Sequence, residues 1–257
     1  MTKAMAKGIL ACDVGNSRIA LGCVVDEEAS PVRRVASDDA PAVAQALAEV
    51  WRETPEPRRV VACSVNPAGL ELLKSAAAKI DQDVLLVGSD LPLPMDTALD
   101  HPERIGTDRL CAAAMAYHRL KQAVVVADFG TAITIDCVSP DGVFLGGAIL
   151  PGLGPGAESL AGRTAFLPKI ELTRPDWVFG RDTREAIVGG LVYGARGALR
   201  ELTEAYAAEL RQWPLLILTG GDAELVGEGC DFVHAIVPDL CLAGVALAHR
   251  LAEADRP

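Results

Sequence analysis

Residues 9–26 read ILACDVGNSRIALGCVVD, and residues 124–138 read VVVADFGTAITIDCV. In both, an apolar run rich in β-branched and aliphatic residues ends at an aspartate. A D-x-G turn, followed by a small polar residue and another small one, then leads into a second apolar run. The two turns, Asp13-Val14-Gly15-Asn16-Ser17 and Asp128-Phe129-Gly130-Thr131-Ala132, lie 115 positions apart (128 − 13). A D-x-G triplet is common at strand ends, so by itself it decides little. The fold is decided by the order of elements that follows each copy.

After the first turn, Ile19–Asp26 and Val32–Ser37 extend a meander begun by Gly8–Gly15. Val43, Leu47, Val50 and Trp51 then recur at helical spacing, ending before Pro55 and Pro57. Val60–Val65 reads as a buried strand, Leu70–Ile80 as a helix and Val84–Val87 as a strand. A proline-punctuated loop, Leu91–Pro102, precedes a helix over Asp108–Leu120. The programme then restarts with strands at Ala123–Ala127, Ile133–Val138 and Val143–Leu150. The glycine- and proline-rich PGLGPG (151–156) reads as a loop that opens no helix of a βαβ unit, and a long helix runs from about Thr183 to Trp213. Leu215–Leu218 and Phe232–Val237 read as strands around a short helix from Ala223, and a helix over Leu242–Leu251 closes the chain. Internal repetition on this scale predicts two similar α/β domains, 1–115 and 116–257.

Composition narrows the function. Half of the 257 residues are hydrophobic and 23% are charged, enough apolar surface for a substantial core. The net charge of −11 repels phosphate backbones and anionic lipid, arguing against nucleic-acid and membrane partners. An anionic small substrate needs only a local arginine or a bound metal. The seven cysteines form no CxxC pair and sit mostly in apolar runs, which favours a reducing, cytoplasmic setting over a disulfide framework or structural zinc. The N-terminus is expected to be neither a signal peptide nor an anchor, and no apolar run approaches the ~18 residues of a membrane span.

Chemically, the glycine of each turn lets backbone approach a ligand closely, and the N–H groups after it can grip phosphate oxygens. The aspartate at the strand end can hold hydrated Mg²⁺, which prefers one or two carboxylates plus phosphates. Taken singly, Asp13 or Asp128 reads equally well as an aspartate closing a tight turn. As a facing pair, the two turns fit a nucleoside triphosphate. No G-x-x-x-x-G-K-[ST], G-x-S-x-G or H-E-x-x-H is present, which excludes P-loop, serine-elbow and zincin chemistry. Gly106-Thr107-Asp108-Arg109 opens a helix, where the positive dipole end favours anions. Asp108 there can accept a proton from an attacking hydroxyl and Arg109 can pair with a substrate carboxylate. The same two residues also read as an ordinary charge pair at a helix end.

Seven segments in order resemble the type III pantothenate kinases of the acetate and sugar kinase, Hsp70 and actin superfamily. They are DVGNSRIALG (13–22), GTDR (106–109), DFGTAITID (128–136), GGAILPGL (146–153), RTAFLP (163–168), DTREAIVGGLVYG (182–194) and LTGGDAELV (218–226). The resemblance implies two ribonuclease H-like (actin-like ATPase) domains, each with a mixed five-stranded sheet flanked by helices, and a nucleotide between them. It implies ATP-dependent phosphorylation of the terminal hydroxyl of pantothenate, the first step of coenzyme A synthesis. A non-catalytic accessory homologue and a sugar kinase of the same superfamily are the alternatives. Carried over by position, Asp13, Val14, Gly15, Asn16, Ser17, Arg18, Ile19 and Ala20 form the first ATP phosphate turn, with Asp13 near Mg²⁺. Thr131 matches a further ATP contact and Asp128 a ligand of the activating monovalent cation, K⁺ or NH₄⁺. Asp108 matches the proton acceptor. Gly106, Thr107 and Arg109 match the pantothenate-binding segment, and Thr183 a substrate contact supplied across a homodimer interface. The chain departs from the family pattern at Ser17, Thr107 and Ala20, and at Leu99, where many members carry a tyrosine.

Overall fold

A computed structural model of the chain describes residues 8–254. The first seven residues, part of the N-terminus expected to carry neither signal nor anchor, lie outside the described residues. Among the described residues no helix is long and apolar enough to cross a membrane.

The first sheet contains β1 (Gly8–Val14), β2 (Arg18–Val25), β3 (Glu28–Ala36), β4 (Arg58–Ser64) and β5 (Val84–Leu86), in the order β3-β2-β1-β4-β5. β1 is antiparallel to β2 and parallel to β4, and β4 is parallel to β5. The second sheet contains β6 (Val124–Phe129), β7 (Ala132–Val138), β8 (Phe144–Pro151), β9 (Leu215–Thr219) and β10 (Ala235–Ile236), in the order β8-β7-β6-β9-β10. Its directions are the same: β6 is antiparallel to β7 and parallel to β9, which is parallel to β10. The duplication expected from the two turns is thus a duplication of topology, and each aspartate ends the central strand of its sheet.

β1 is apolar without alternation because helices cover both faces of its sheet. Leu10, Cys12 and Val14 face a core shared with α1 (Ala40–Glu53) and α2 (Pro67–Ala78), through Val43, Leu47, Val50, Leu70 and Leu73. The other face receives α7 (Leu240–Ala254), against which α3 (Thr107–Leu120) packs. Gly244 of α7 packs so closely on α3 that an added Cβ would strike the backbone of Cys111. Grouped by contacts, the described residues therefore form one compact unit of 8–119 plus 239–254 and another of 120–238. The boundary expected from sequence, at 115/116, had left the closing helix with the second half. Helical periodicity shows that Leu242–Leu251 has an apolar face but not which sheet that face covers.

In the second unit, Val125, Ala127, Phe129, Ile133 and Ile135 pack against α4 (Leu153–Arg163), α5 (Thr183–Leu210) and α6 (Ala223–Gly227). α4 corrects the reading of PGLGPG as a loop, because the segment opens a helix. Its glycines and prolines are poor helix formers, but Pro155 falls in the first turn, where a missing N–H costs nothing. Strand bounds also shift. β3 begins at Glu28 rather than Val32, ahead of Pro31. As an edge strand with a register irregularity opposite Gly22/Val24, it tolerates the missing ladder donor. The expected strand over 232–237 is reduced to Ala235–Ile236.

Candidate functional site

The first turn is held by its carbonyls. Gly15 N–H donates to Arg18 O at 3.0 Å and closes it. Asn66 Nδ2 donates to Gly15 O at 3.2 Å, Ser37 Oγ to Asn16 O at 2.7 Å, and Ser37 N–H to Ser17 O at 3.2 Å. Asn66 also caps α2 by accepting from Gly69 N–H at 3.1 Å, so one side chain ties a helix start to the turn. Asn16, Ser17 and Arg18 are exposed, whereas Asp13, Gly15 and Ala20 are half-buried. Val14 and Ile19 bury their side chains in the core, so only their main chain is available to a ligand. Asn66 and Ser37 went unnoticed in the sequence. Nothing in either residue announces a partner some fifty or twenty positions away.

The segment expected to bind substrate stands at the same strand ends. Thr107 Oγ1 accepts from Ser64 N–H at 3.2 Å, and Ser64 pairs with Val14 and follows Cys63, the partner of Asp13. Asp108 Oδ1 accepts from Arg109 N–H at 2.8 Å, which sets the carboxylate, and all of Gly106–Arg109 are half-buried. A Cβ on Gly106 would collide with Asp108 Oδ1 and come within 3.2 Å of Val65 Cγ1, so this position must be glycine for the carboxylate to lie where it does. The Cys111 thiol is buried on the same helix. Hydrogen bonding to Cys63 and burial push it well above the ordinary thiol range, and the charges of Asp13 and Asp108 add to the shift. Asp13, Gly106, Thr107, Asp108 and Arg109 therefore converge on the ends of β1 and β4. Leu99 is half-buried in the loop preceding this segment.

The second turn is built of close backbone approaches. Gly130 N–H donates to Ala132 O at 3.1 Å, and Gly152 N–H to Thr131 O at 3.1 Å. Gly152 is the N-cap of α4, and a Cβ there would strike Gly130 O and Thr131 O. The N-terminus of α4 thus abuts exposed Thr131, placing a positive dipole end where a phosphate oxygen is expected. Gly220, at φ +93°, lies against Asp128. Its Cβ would meet the Asp128 carboxylate and, at 2.6 Å, both N and O of Phe129. Gly220→Ala is expected to destabilise the protein by about 2–4 kcal/mol, combining left-handed strain with overpacking. Gly221→Ala, where nothing lies within 4 Å, should be near neutral. Urea denaturation of both variants checks this, and equal midpoints would show that Gly220 is not held by its surroundings.

Thr183 is not at this turn. It is the first residue of α5, after Asp182, which caps the helix by accepting from Glu185 N–H at 2.8 Å. There it borders an open apolar groove of about 370 Å³, lined also by Leu160, Leu167, Ala186, Gly190 and Leu191.

Paired sheets of this topology, each with a D-x-G turn ending its central strand, define the actin-like ATPase and sugar-kinase fold. The structures most like it include a putative 2-dehydro-3-deoxygalactonokinase from Sinorhizobium meliloti, at TM-score 0.58 and 17% identity over 95% of this chain and 96% of that one. A putative Baf family transcriptional activator from Campylobacter jejuni has TM-score 0.61 and 21% identity, over 95% and 99% of the two chains. At such identities they establish the fold alone. Sequence goes further: the family model for type III pantothenate kinases matches residues 9–205. The type III pantothenate kinase of Dehalococcoides mccartyi strain 195 is 31% identical over 97% of this chain and 100% of its own. That of Moorella thermoacetica is 31% identical over 94% and 98%. The chain belongs to the type III pantothenate kinase family.

Proposed function

We propose that this chain transfers the terminal phosphoryl group of ATP to the terminal hydroxyl of pantothenate, giving 4′-phosphopantothenate, the first step of coenzyme A synthesis. The observation that carries the reading is the seating of Gly106–Arg109, by Thr107 on Ser64, at the strand ends where Asp13 stands. Phosphoryl transfer is mostly positioning and charge neutralisation, so a carboxylate and an arginine beside a phosphate turn suit it. In this reading Asp108 accepts the hydroxyl proton and Arg109 pairs with the pantothenate carboxylate, while Gly106 and Thr107 fix the segment. Asp13 would hold Mg²⁺, whose charge would neutralise the phosphates. Asn16, Ser17 and Arg18 meet phosphate with side chains, and Val14, Gly15, Ile19 and Ala20 with main chain. Thr131, at the head of α4, is the further ATP contact, and Asp128 a ligand of K⁺ or NH₄⁺.

A homodimer belongs to the same proposal, with Thr183 completing the partner's pantothenate pocket. Gly190, Gly194 and Gly197 are exposed on α5, and among the described residues nothing beyond the helix's own neighbouring backbone comes within 4 Å of a Cβ built on any of them. Helix-interior glycine costs about 1 kcal/mol relative to alanine, so the stripe favours close approach of another backbone. Nearby Phe166 and Phe179 are 95% and 82% exposed, apolar surface that a second copy would cover. The free state of all seven cysteines suits a reducing cytoplasm.

A coupled ADP-release assay tests the activity. ADP release is expected only when pantothenate is present, and to fall strongly when Na⁺ replaces K⁺. Equal release with a panel of sugars, or without acceptor, would sink the assignment, and equal rates in Na⁺ and K⁺ would remove the cation role of Asp128. Within this scheme Gly106→Ala should cost little stability, because the atom struck is a side-chain end. It should nevertheless lower turnover about 10–100-fold by displacing the Asp108 carboxylate. Wild-type turnover in that variant would mean that the position of this carboxylate is not critical.

A further inference from the structure

Asp13, Cys63 and Cys241 each place a ligand atom within 4.8 Å of the other two, the one such group of three among the described residues. Cys63 Sγ lies 3.5 Å from Asp13 Oδ1 and 3.5 Å from Cys241 Sγ. The cluster follows from topology. The parallel register of β1 and β4 pairs Asp13 with Cys63, which puts both side chains on one face of the sheet. α7 covers that face and delivers Cys241 from its first turn. Cys111 of α3 hydrogen-bonds to Cys63 from the same side.

A packed core needs no carboxylate against two thiols. Neither small thiols nor an aspartate fills volume better than the valines and leucines around them. Two of the spacings, 3.5 Å each, lie near those of a coordination shell. With Zn–S of ~2.3 Å and Zn–O of ~2.0 Å, tetrahedral angles set S···S at ~3.8 Å and S···O at ~3.5 Å. Cys63 and Cys241 are buried and Asp13 half-buried, so an ion would enter from the Asp13 side.

We propose that Asp13, Cys63 and Cys241 form a binding site for a thiophilic divalent cation of the Zn²⁺ class, distinct in chemistry from the Mg²⁺ of the phosphoryl-transfer reaction. Mg²⁺ takes oxygen ligands and ignores thiolates, whereas Zn²⁺ accepts both, so ligand softness sorts the two ions. Binding forms two metal–sulfur bonds and releases to solvent the thiol protons that the pair carries. Asp13 belongs to both sites, so an ion seated on the thiols withdraws that carboxylate from the nucleotide. The binding itself does not depend on the kinase assignment.

The test uses the full chain after chelator treatment. Zn²⁺ is titrated in competition with a chromogenic chelator, and Co²⁺ is titrated separately while thiolate-to-cobalt charge-transfer absorption is followed. One Zn²⁺ per chain, proton release on binding and a charge-transfer band are expected. Cys241→Ala and Cys63→Ala should each weaken Zn²⁺ by at least about 100-fold and diminish the band. Cys230→Ala, outside the cluster, should change neither. Circular dichroism melts identify any variant that has lost its fold, and Cys241→Ala, at a helix start, is the milder change. Absence of stoichiometric Zn²⁺ binding, Co²⁺ binding without the band, or wild-type affinity in a folded Cys241→Ala protein overturns the proposal.

Discussion

Asp108→Asn is expected to lower turnover by ~10²–10⁴-fold while leaving ATP affinity nearly unchanged. The substitution is isosteric, and the amide oxygen it introduces can still accept the 2.8 Å bond that Arg109 N–H now makes to Oδ1, so the helix start should survive. What disappears is a basic oxygen for the hydroxyl proton and a negative charge near Asp13. The nucleotide side of the proposed site, the Gly15–Ser17 turn held by Asn66 and Ser37, is untouched. The loss should therefore fall on turnover and not on the ATP KM. Single-turnover kinetics with pantothenate measure it directly. A variant within a few-fold of wild type would remove Asp108 from the mechanism.

The second large effect is a recovery. In the proposed dimer each pocket combines Asp108 of one chain with Thr183 of the other, so Thr183→Val should be nearly inactive alone, as should Asp108→Asn. Equal amounts of the two, refolded together, form mixed dimers for half of the population. One of the two pockets in each mixed dimer has both residues intact, so about a quarter of wild-type activity should return. Thr183 is exposed on its own chain and borders the apolar groove at the start of α5, a position from which a neighbouring copy is reachable. If the mixture remains inactive while labelled subunits are seen to exchange, Thr183 serves only its own chain.

Much of the fold was legible in local pattern. The apolar runs ending at Asp13 and Asp128, the helical spacing over 43–51 and the repeated order of elements are short-range signals, and the paired topology repeats them. The PGLGPG helix was not legible, because propensity argued against it and a contact decided it. Gly152 seats its N–H on Thr131 O, and Pro155 occupies the one turn where its missing donor is harmless. The candidate site divides the same way. GTDR announced a helix start by composition alone, whereas Asn66, Ser37 and Gly220 gained significance only from what they touch.

The sequence by itself determined the duplication, the two D-x-G turns and the acidic, arginine-containing helix start, because each is written in consecutive residues. Only the tertiary structure decided that the closing helix covers the first sheet, that Thr107 bonds to Ser64 at the end of β4, and that Cys63 and Cys241 meet at Asp13. Those are pairings between residues 43 to 228 positions apart. They depend on strand register and on which face a helix covers, and neither is encoded in any single stretch of chain.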